Sequence, residues 1–172
     1  MALPLVWGAT DAEARRHYPA DDLLDGEVLR LTRAVCVDAP PEVTWRWLCQ
    51  IAVAPYSYDW IDNRGRRSPR TLTPGADRLE VGQRMAVVFR LVSYDAPRRW
   101  TAITDPRGER LFGPVAITYA AEPDGPCSRI VCRIAVPHSG VLNRVRGRLL
   151  AWGDLVMMRR QLLNLKALAE RG

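Results

Sequence analysis

Hydrophobic and polar residues alternate along five stretches of the chain, which is typical of half-buried β-strands. In the first stretch, over residues 27–38, leucine and valine side chains share one face, and Arg33 interrupts that face. The later strands are predicted over residues 85–94, 100–104, 113–121 and 128–136. Segments rich in Pro, Asp and Gly separate the later strands, at residues 95–99, 105–108 and 122–126. We expect tight turns there, and therefore antiparallel pairing of consecutive strands.

The last of these strands indicates how the sheet meets solvent. Its apolar side chains share one face, whereas Arg129 and Arg133 lie on the other. A sheet that packs on a core with one face and is solvated on the other shows this alternation. The sequence therefore predicts a sheet whose back face is exposed to solvent.

Two segments have the spacing of amphipathic helices. Residues 41–51 begin with a proline, which the first turn of a helix tolerates, and place Val43, Trp47 and Ile51 on one face. A long C-terminal helix is predicted beyond Val141, because apolar residues recur there at intervals of three and four. This stripe consists of Trp152, Leu155, Met158, Leu162, Leu165 and Ala169. Gly147 and Gly153 are expected to interrupt the helix near its start.

Together these elements predict an α+β fold in one domain over residues 1–172, because a chain of this length can bury a sizeable core. We divide the domain into an N-terminal arm (1–26), a sheet with two short helices (27–137) and a C-terminal helical segment (138–172). A curved antiparallel sheet wrapped around the long helix leaves room for an internal cavity.

An aromatic and acidic segment over residues 54–63 lies outside this pattern. It contains Tyr56, Tyr58, Asp59 and Trp60 where a helix is expected to end. Such a segment is either a lid over an apolar cavity or a hydrogen-bonded structural corner.

Composition limits the partners. The net charge of +6 is carried almost wholly by arginine, and no basic stripe is interleaved with aromatic residues, so we expect no nucleic-acid partner. No apolar run has the length of a membrane span, and the start of the chain lacks the basic region of a signal peptide. We therefore expect a cytoplasmic protein without an integral membrane segment; a homo-oligomer remains open. Four cysteines without metal-ligand spacing and only two histidines predict no metal site.

Several motifs resemble those of the START/Bet v 1-like (SRPBCC) superfamily, and most closely its uncharacterised polyketide cyclase/dehydrase-like subfamily. They span nearly the whole chain and comprise Trp7-Gly-Ala-Thr with Glu13, Pro19-Ala-Asp-Asp, Thr32-Arg-Ala-Val, Asp38-Ala-Pro-Pro-Glu, Trp45-x-Trp-Leu-x-Gln, Tyr56-Ser-Tyr-Asp-Trp-Ile-Asp-Asn, Leu79-x-Val-Gly-Gln, Ser128-Arg-Ile-x-x-Arg and Met158-Arg-Arg-Gln-Leu-Leu-x-x-Lys. Related sequences usually carry a glycine-rich run before Tyr56. Here Pro55 stands in that place and predicts a stiffer entrance.

The resemblance implies a helix-grip fold, in which the curved antiparallel sheet wraps around the C-terminal helix and two short helices close one end. It also implies a small hydrophobic, lipid- or polyketide-like ligand in an internal cavity, without a cofactor. The expected ligand-binding residues are Tyr56, Tyr58, Asp59, Trp60, Phe89, Tyr119, Met158 and Leu162. The resemblance brings no agreed catalytic residues, because fold does not fix function.

Three functions remain open: a carrier or sensor of the ligand, a cyclase- or dehydratase-like enzyme, and an interaction domain with a collapsed cavity. The enzyme needs polar groups that converge inside the cavity to stabilise an enolate and move a proton. Candidates are Arg33, Arg90, Tyr94 and Tyr119, the tyrosines and Asp59 of the aromatic segment, and His138. For Arg33 we favour a structural ion pair with Asp59 or Asp62.

Overall fold

A computed structural model describes residues 3–58, 60 and 65–171, with the backbone alone at 142–144 and 146. In this part of the chain the sheet has seven strands: β1 (Val6–Trp7), β2 (Val28–Val37), β3 (Arg84–Met85), β4 (Phe89–Asp95), β5 (Arg99–Thr104), β6 (Ala116–Asp124) and β7 (Cys127–Pro137). The α-helices used below are α1 (Asp11–Arg15), α2 (Pro41–Cys49), α3 (Pro106–Phe112) and α4 (Val141–Ala169).

The strands form one sheet in the order β1-β2-β7-β6-β5-β4-β3. All neighbours pair antiparallel except β1, which runs parallel to β2. The sheet curves around the long helix α4, and the shorter helices lie at its margins. The predicted α+β helix-grip fold is confirmed.

The main core lies between the concave face of the sheet and helices α2 and α4. Helix α2 buries Trp45, Trp47 and Leu48, and α4 contributes Leu162 and Leu165 to the same cluster. Spacings of three and four on α4 place those residues on one face, as the sequence predicts.

The back face of the sheet differs from the prediction. It is not solvated, because the N-terminal arm lies across it, and Arg133 is fully buried beneath that arm. Small side chains on the back face make room for the arm, as where Tyr18 packs against Ala34 and Ala120. A Cβ atom on Gly8 would lie 2.1 Å from the Ala34 carbonyl oxygen, so the close approach of the arm to β2 requires glycine there.

The segment 105–108 is also not the hairpin turn that its sequence suggested. Asp105 caps helix α3 by accepting hydrogen bonds from the backbone N–H groups of Arg107 and Gly108. An Asp-Pro pair suits both a type I turn and the first turn of a helix, because the two structures have similar φ and ψ angles. The residues that follow decide between the two, and here they continue as a helix.

Helix α4 corrects two further expectations. It runs without a break through Gly147 and Gly153. Trp152, expected on its buried stripe, is 55% exposed. A glycine inside a helix costs only about 1 kcal/mol relative to alanine, which packing of the rest of α4 readily offsets.

Candidate functional site

A cavity lies between the concave face of the sheet and helix α4. It comprises two adjoining chambers with volumes of about 520 and about 680 Å³ that share part of their walls. Such volumes lie in the range that small-molecule sites occupy. The walls are mainly apolar, with Val115 and Ile134 common to both chambers. An apolar compound of several rings, or a short acyl chain, is the kind of ligand that such walls favour.

A row of neighbouring side chains on the concave face of the sheet reaches the cavity, where its members Tyr119 and Trp100 line the smaller chamber. Strand register places Arg33 opposite Cys132, Cys132 opposite Tyr119, and Tyr119 opposite Trp100, so that four adjacent strands supply neighbouring residues. The Tyr119 and Trp100 rings stack with their centroids 4.6 Å apart. The row therefore brings one charged and two polar groups to an otherwise apolar face.

Helix α4 faces this row with a polar side of its own. Asp154, Met158 and Gln161 are spaced at four and three residues, which places them on one face of the helix. The Tyr119 hydroxyl donates a hydrogen bond to Gln161 Oε1 and lies 3.3 Å from Met158 Sδ. The Gln161 side chain in turn donates to the Pro55 carbonyl oxygen. Sheet, helix and the start of the aromatic segment are thus linked through the cavity wall.

Asp154 lines both chambers and pairs with Arg33. The Arg33 guanidinium is fully buried, and its Nη2 lies 3.1 Å from Asp154 Oδ2. Arg33 also donates hydrogen bonds to the carbonyl oxygens of Leu5, Thr32 and Ala151. Among the described acids, the partner of Arg33 is Asp154. Asp59 and Asp62, the partners predicted from the sequence, lie outside the described residues.

Burial controls the protonation of this cluster. It raises the pKa of the Asp154 carboxyl to about 6, although the Arg33 guanidinium acts in the opposite direction. Burial likewise raises the pKa of the Tyr119 phenol and of the Cys132 thiol well above their ordinary values. Near neutral pH, Tyr119 and Cys132 are neutral and Asp154 is close to its titration range.

The cavity opens between helix α3 and the start of the long helix. Leu111, Phe112, Val87 and Leu149 form its rim, and each of them is substantially exposed. Ala86 and Val87 have positive φ angles of 41° and 70°, a region that side chains branched at Cβ rarely occupy. An apolar, locally strained rim thus surrounds the opening.

Three of the eight residues predicted to bind ligand line this cavity, namely Phe89, Tyr119 and Met158. Leu162 is fully buried and belongs to the solid core. The two cavity residues on strands were accessible to prediction because alternation identifies the inward face. Leu162 shares the helix face of Met158, but periodicity does not reveal where the cavity ends.

The aromatic segment divides between two sites. Pro55 lines the cavity, and Tyr56, Tyr58 and Trp60 border a surface groove of about 410 Å³ near the end of α4. Ser57 borders both. The Tyr56 side chain is buried, and its ring meets Trp47 edge-on at 6.2 Å between centroids. Asp59 lies outside the described residues.

Other candidates for chemistry lie away from the cavity. Tyr94 is exposed on strand β4, and exposed Arg90 donates a hydrogen bond to the Gly82 carbonyl oxygen. His138, partly buried beyond the end of the sheet, donates its backbone N–H to the Glu27 carbonyl oxygen. None of the three belongs to the described lining of either chamber.

Sequence reasoning missed Asp154 and Gln161 as cavity residues. Arg33 on an apolar strand face did signal a buried acidic partner, but the partner follows from the contact between strand β2 and helix α4. Within the described residues, no three His, Cys, Asp or Glu side chains converge as metal ligands, and no helix is both long and apolar enough to cross a membrane.

No family model and no curated protein matches this chain. Solved structures of two bacterial proteins resemble it. One, from Mesorhizobium loti, is 16% identical with a TM-score of 0.52, over 83% of this chain and 97% of the other. The second, from Nitrosospira multiformis, is 15% identical with a TM-score of 0.53, over 80% of this chain and 94% of the other. At these identities the likeness is one of fold, and the polyketide cyclase/dehydrase-like subfamily stays a prediction.

Proposed function

We propose that this protein binds a small hydrophobic ligand in the cavity between the sheet and helix α4. The observation that carries this proposal is the pair of adjoining, mainly apolar chambers beneath an exposed apolar rim. Burial of apolar ligand surface supplies the main driving force for such binding, at roughly 25 cal/mol per Å² of apolar surface removed from water. The helix-grip fold supports the proposal, because the sheet and the long helix enclose an interior.

A pair of adjacent substitutions on α4 tests this proposal. Met157 lines both chambers, whereas its neighbour Val156 is 56% exposed on the outer side of the helix. Met157→Trp should fill cavity space and weaken binding of the fluorescent probe N-phenylnaphthylamine at least about tenfold, because the ligand and the indole need the same volume. Val156→Trp adds the same ring outside the cavity and should leave the affinity within about twofold.

Fluorescence titration gives both affinities, and native mass spectrometry of the purified protein shows whether an apolar ligand copurifies. Equal affinities in the two variants would contradict binding in the cavity. A wild-type protein that binds no apolar probe, and never carries a ligand after purification, would remove the proposal altogether.

A cyclase- or dehydratase-like activity is the second candidate. The Asp154 carboxyl, with a pKa of about 6, favours it, because a carboxylate that titrates near neutrality inside the cavity can take a proton from a ligand. Incubation with a linear β,δ-triketone tests this candidate. Intramolecular aldol condensation forms one carbon–carbon bond and releases one water, so mass spectrometry detects the dehydrated ring. If the triketone cyclises no faster with the protein than without it, this activity is contradicted and ligand binding is the remaining function.

A further inference from the structure

We infer that Asp154 is the polar recognition group of the cavity, and that its ligand is an apolar molecule whose hydroxyl group donates a hydrogen bond to the Asp154 carboxylate. This inference rests on the proposed function, since it assigns the ligand class of the same cavity. It adds a polar requirement that apolar walls alone do not impose.

The Asp154 carboxylate has more hydrogen-bonding capacity than the described protein groups use. Its Oδ2 atom is buried, and the one described partner of that atom is Arg33 Nη2, 3.1 Å away in the ion pair. Arg33 directs its hydrogen bonds to backbone carbonyl groups instead. A carboxylate oxygen can accept more than one hydrogen bond, so a ligand that donates to the unused capacity of Asp154 gains affinity.

The other polar side chains of the wall, Tyr119 and Gln161, bond to protein groups. The Tyr119 hydroxyl already donates to Gln161, and Gln161 donates to the Pro55 carbonyl oxygen. These two side chains satisfy each other within the protein. The Tyr119 proton is thereby used, and the Asp154 carboxylate is the charged acceptor of the wall, which forms a stronger hydrogen bond with a ligand hydroxyl than the neutral Tyr119 and Gln161 oxygens do.

The charge of the cluster selects a neutral hydroxyl over an ion. The buried Arg33 guanidinium offsets the Asp154 carboxylate, so a cationic amine gains little net attraction and must still lose its hydration. Beside Asp154 an anionic ligand would face the carboxylate first, because Arg33 lies behind it and is fully buried, and the other lining cation, Arg107, is exposed to solvent, which screens its charge. A hydroxyl on an apolar ring or chain avoids both costs.

Two probes that differ in one hydrogen-bond donor test the inference: β-naphthol and its methyl ether. At about pH 8 Asp154 is ionised and β-naphthol is largely neutral, and we expect the wild-type protein to bind β-naphthol about tenfold more tightly than the ether. The added methyl group favours the ether in an apolar cavity without a polar group, so a preference for the naphthol reports the hydrogen bond. β-Naphthoate should bind more weakly than both.

A double variant removes the recognition group without leaving a lone buried charge. Arg33→Met with Asp154→Leu should abolish the preference for β-naphthol and keep the affinity for the ether within about threefold. The matched control is Arg133→Met with Asp21→Leu, which removes another buried Arg–Asp pair, on the opposite face of the sheet. The control should keep the wild-type preference.

The outcomes separate the two proposals. If the wild-type protein binds neither neutral probe, the proposed function and this inference both fail. If it binds both neutral probes equally, or if the double variant keeps the preference, the cavity binds ligands but Asp154 does not select them. Thermal denaturation checks that each variant is folded. If the double variant does not fold, Asp154→Asn is measured in its place. The inference is overturned if Asp154→Asn reduces the preference for β-naphthol over the ether by less than about threefold relative to the wild type.

Discussion

At the scale of single residues, Asp154 gives the protein a defined dependence on pH. Its folded-state pKa of about 6 lies above the ordinary value of 3.8. The neutral carboxyl therefore stabilises the fold fully below the ordinary value, and this contribution disappears as pH rises through about 6. Because Tyr119 and Cys132 remain neutral in this window, Asp154 titrates beside Arg33 alone in the cluster.

We predict that the stability of the wild-type protein relative to Asp154→Asn increases by about 1 kcal/mol when pH falls from about 7 to about 5. Urea unfolding of both proteins at the two pH values measures this change. The comparison cancels acids that shift the other way, such as Glu13, whose pKa is lowered through its hydrogen bonds to Arg129 and Thr10 despite burial. A difference that is constant with pH, or that shrinks in acid, would contradict the assignment.

The strained residues at the cavity rim permit a second test at this scale. Val87 has φ = 70°, which is unfavourable for a side chain branched at Cβ. Val87→Gly should stabilise the protein by about 1 kcal/mol, since relief of strain exceeds the added flexibility of the unfolded chain. Val88→Gly is the matched control next along the chain, where φ is not positive, and it should destabilise. Thermal denaturation of both variants measures these changes. A lower melting temperature for Val87→Gly than for the wild type would show that the rim is not strained.

The sequence predicts the orientation or the partner of some of these residues but not of others. Inward-facing Tyr119 follows from strand alternation, because period two fixes the face. The partner of Arg33 does not follow from any local pattern, since 121 positions separate it from Asp154 along the chain (154 − 33 = 121). The positive φ of Val87 is likewise not predictable from the sequence, because side chains branched at Cβ rarely adopt this backbone angle.

At the scale of elements, the N-terminal arm is the feature that local patterns described least well. Arg133 holds it from beneath by donating hydrogen bonds to the carbonyl oxygens of Glu13, Ala14 and Arg16 at the end of helix α1. A buried guanidinium thus satisfies orphan carbonyl groups at the C-terminal end of α1, where positive charge is favourable. Alternation correctly placed Arg133 on the back face but gave no sign that another element covers it.

We predict that Arg133→Met loosens the arm and destabilises the protein by about 3 kcal/mol, because buried carbonyl groups lose their donor and the Asp21 carboxylate loses one of its two arginine partners. Limited trypsin digestion should then cut faster after Arg15 and Arg16. Arg90→Met, at an exposed arginine on strand β4, is the control and should change stability by less than about 0.5 kcal/mol. If cleavage in the arm is no faster in Arg133→Met than in the control, Arg133 does not hold the arm.

At the scale of the whole molecule, the fold was predictable because its order of elements is distinctive. A strand, a helix, a run of turn-linked strands and a long amphipathic helix leave few ways to bury every apolar face. The cavity is different, because an interior becomes hollow or solid through small differences in side-chain volume across four strands and a helix. Leu162 and Met158 show this, since they share a helix face but only Met158 borders the chambers.

The two-residue strand β1 has a consequence for aggregation. An outermost strand with unpaired backbone groups is a template on which other chains add strands. Here β1 and its neighbouring residues shield part of the outer margin of β2, where the Thr32 N–H donates to the Leu5 carbonyl oxygen. Further along, Lys166 caps the Cys36 carbonyl oxygen, and Glu170 accepts from the Asp38 N–H. The arm and the end of helix α4 together prevent another chain from adding a strand at this edge of the sheet. Displacement of the arm would therefore expose an edge on which aggregates can grow.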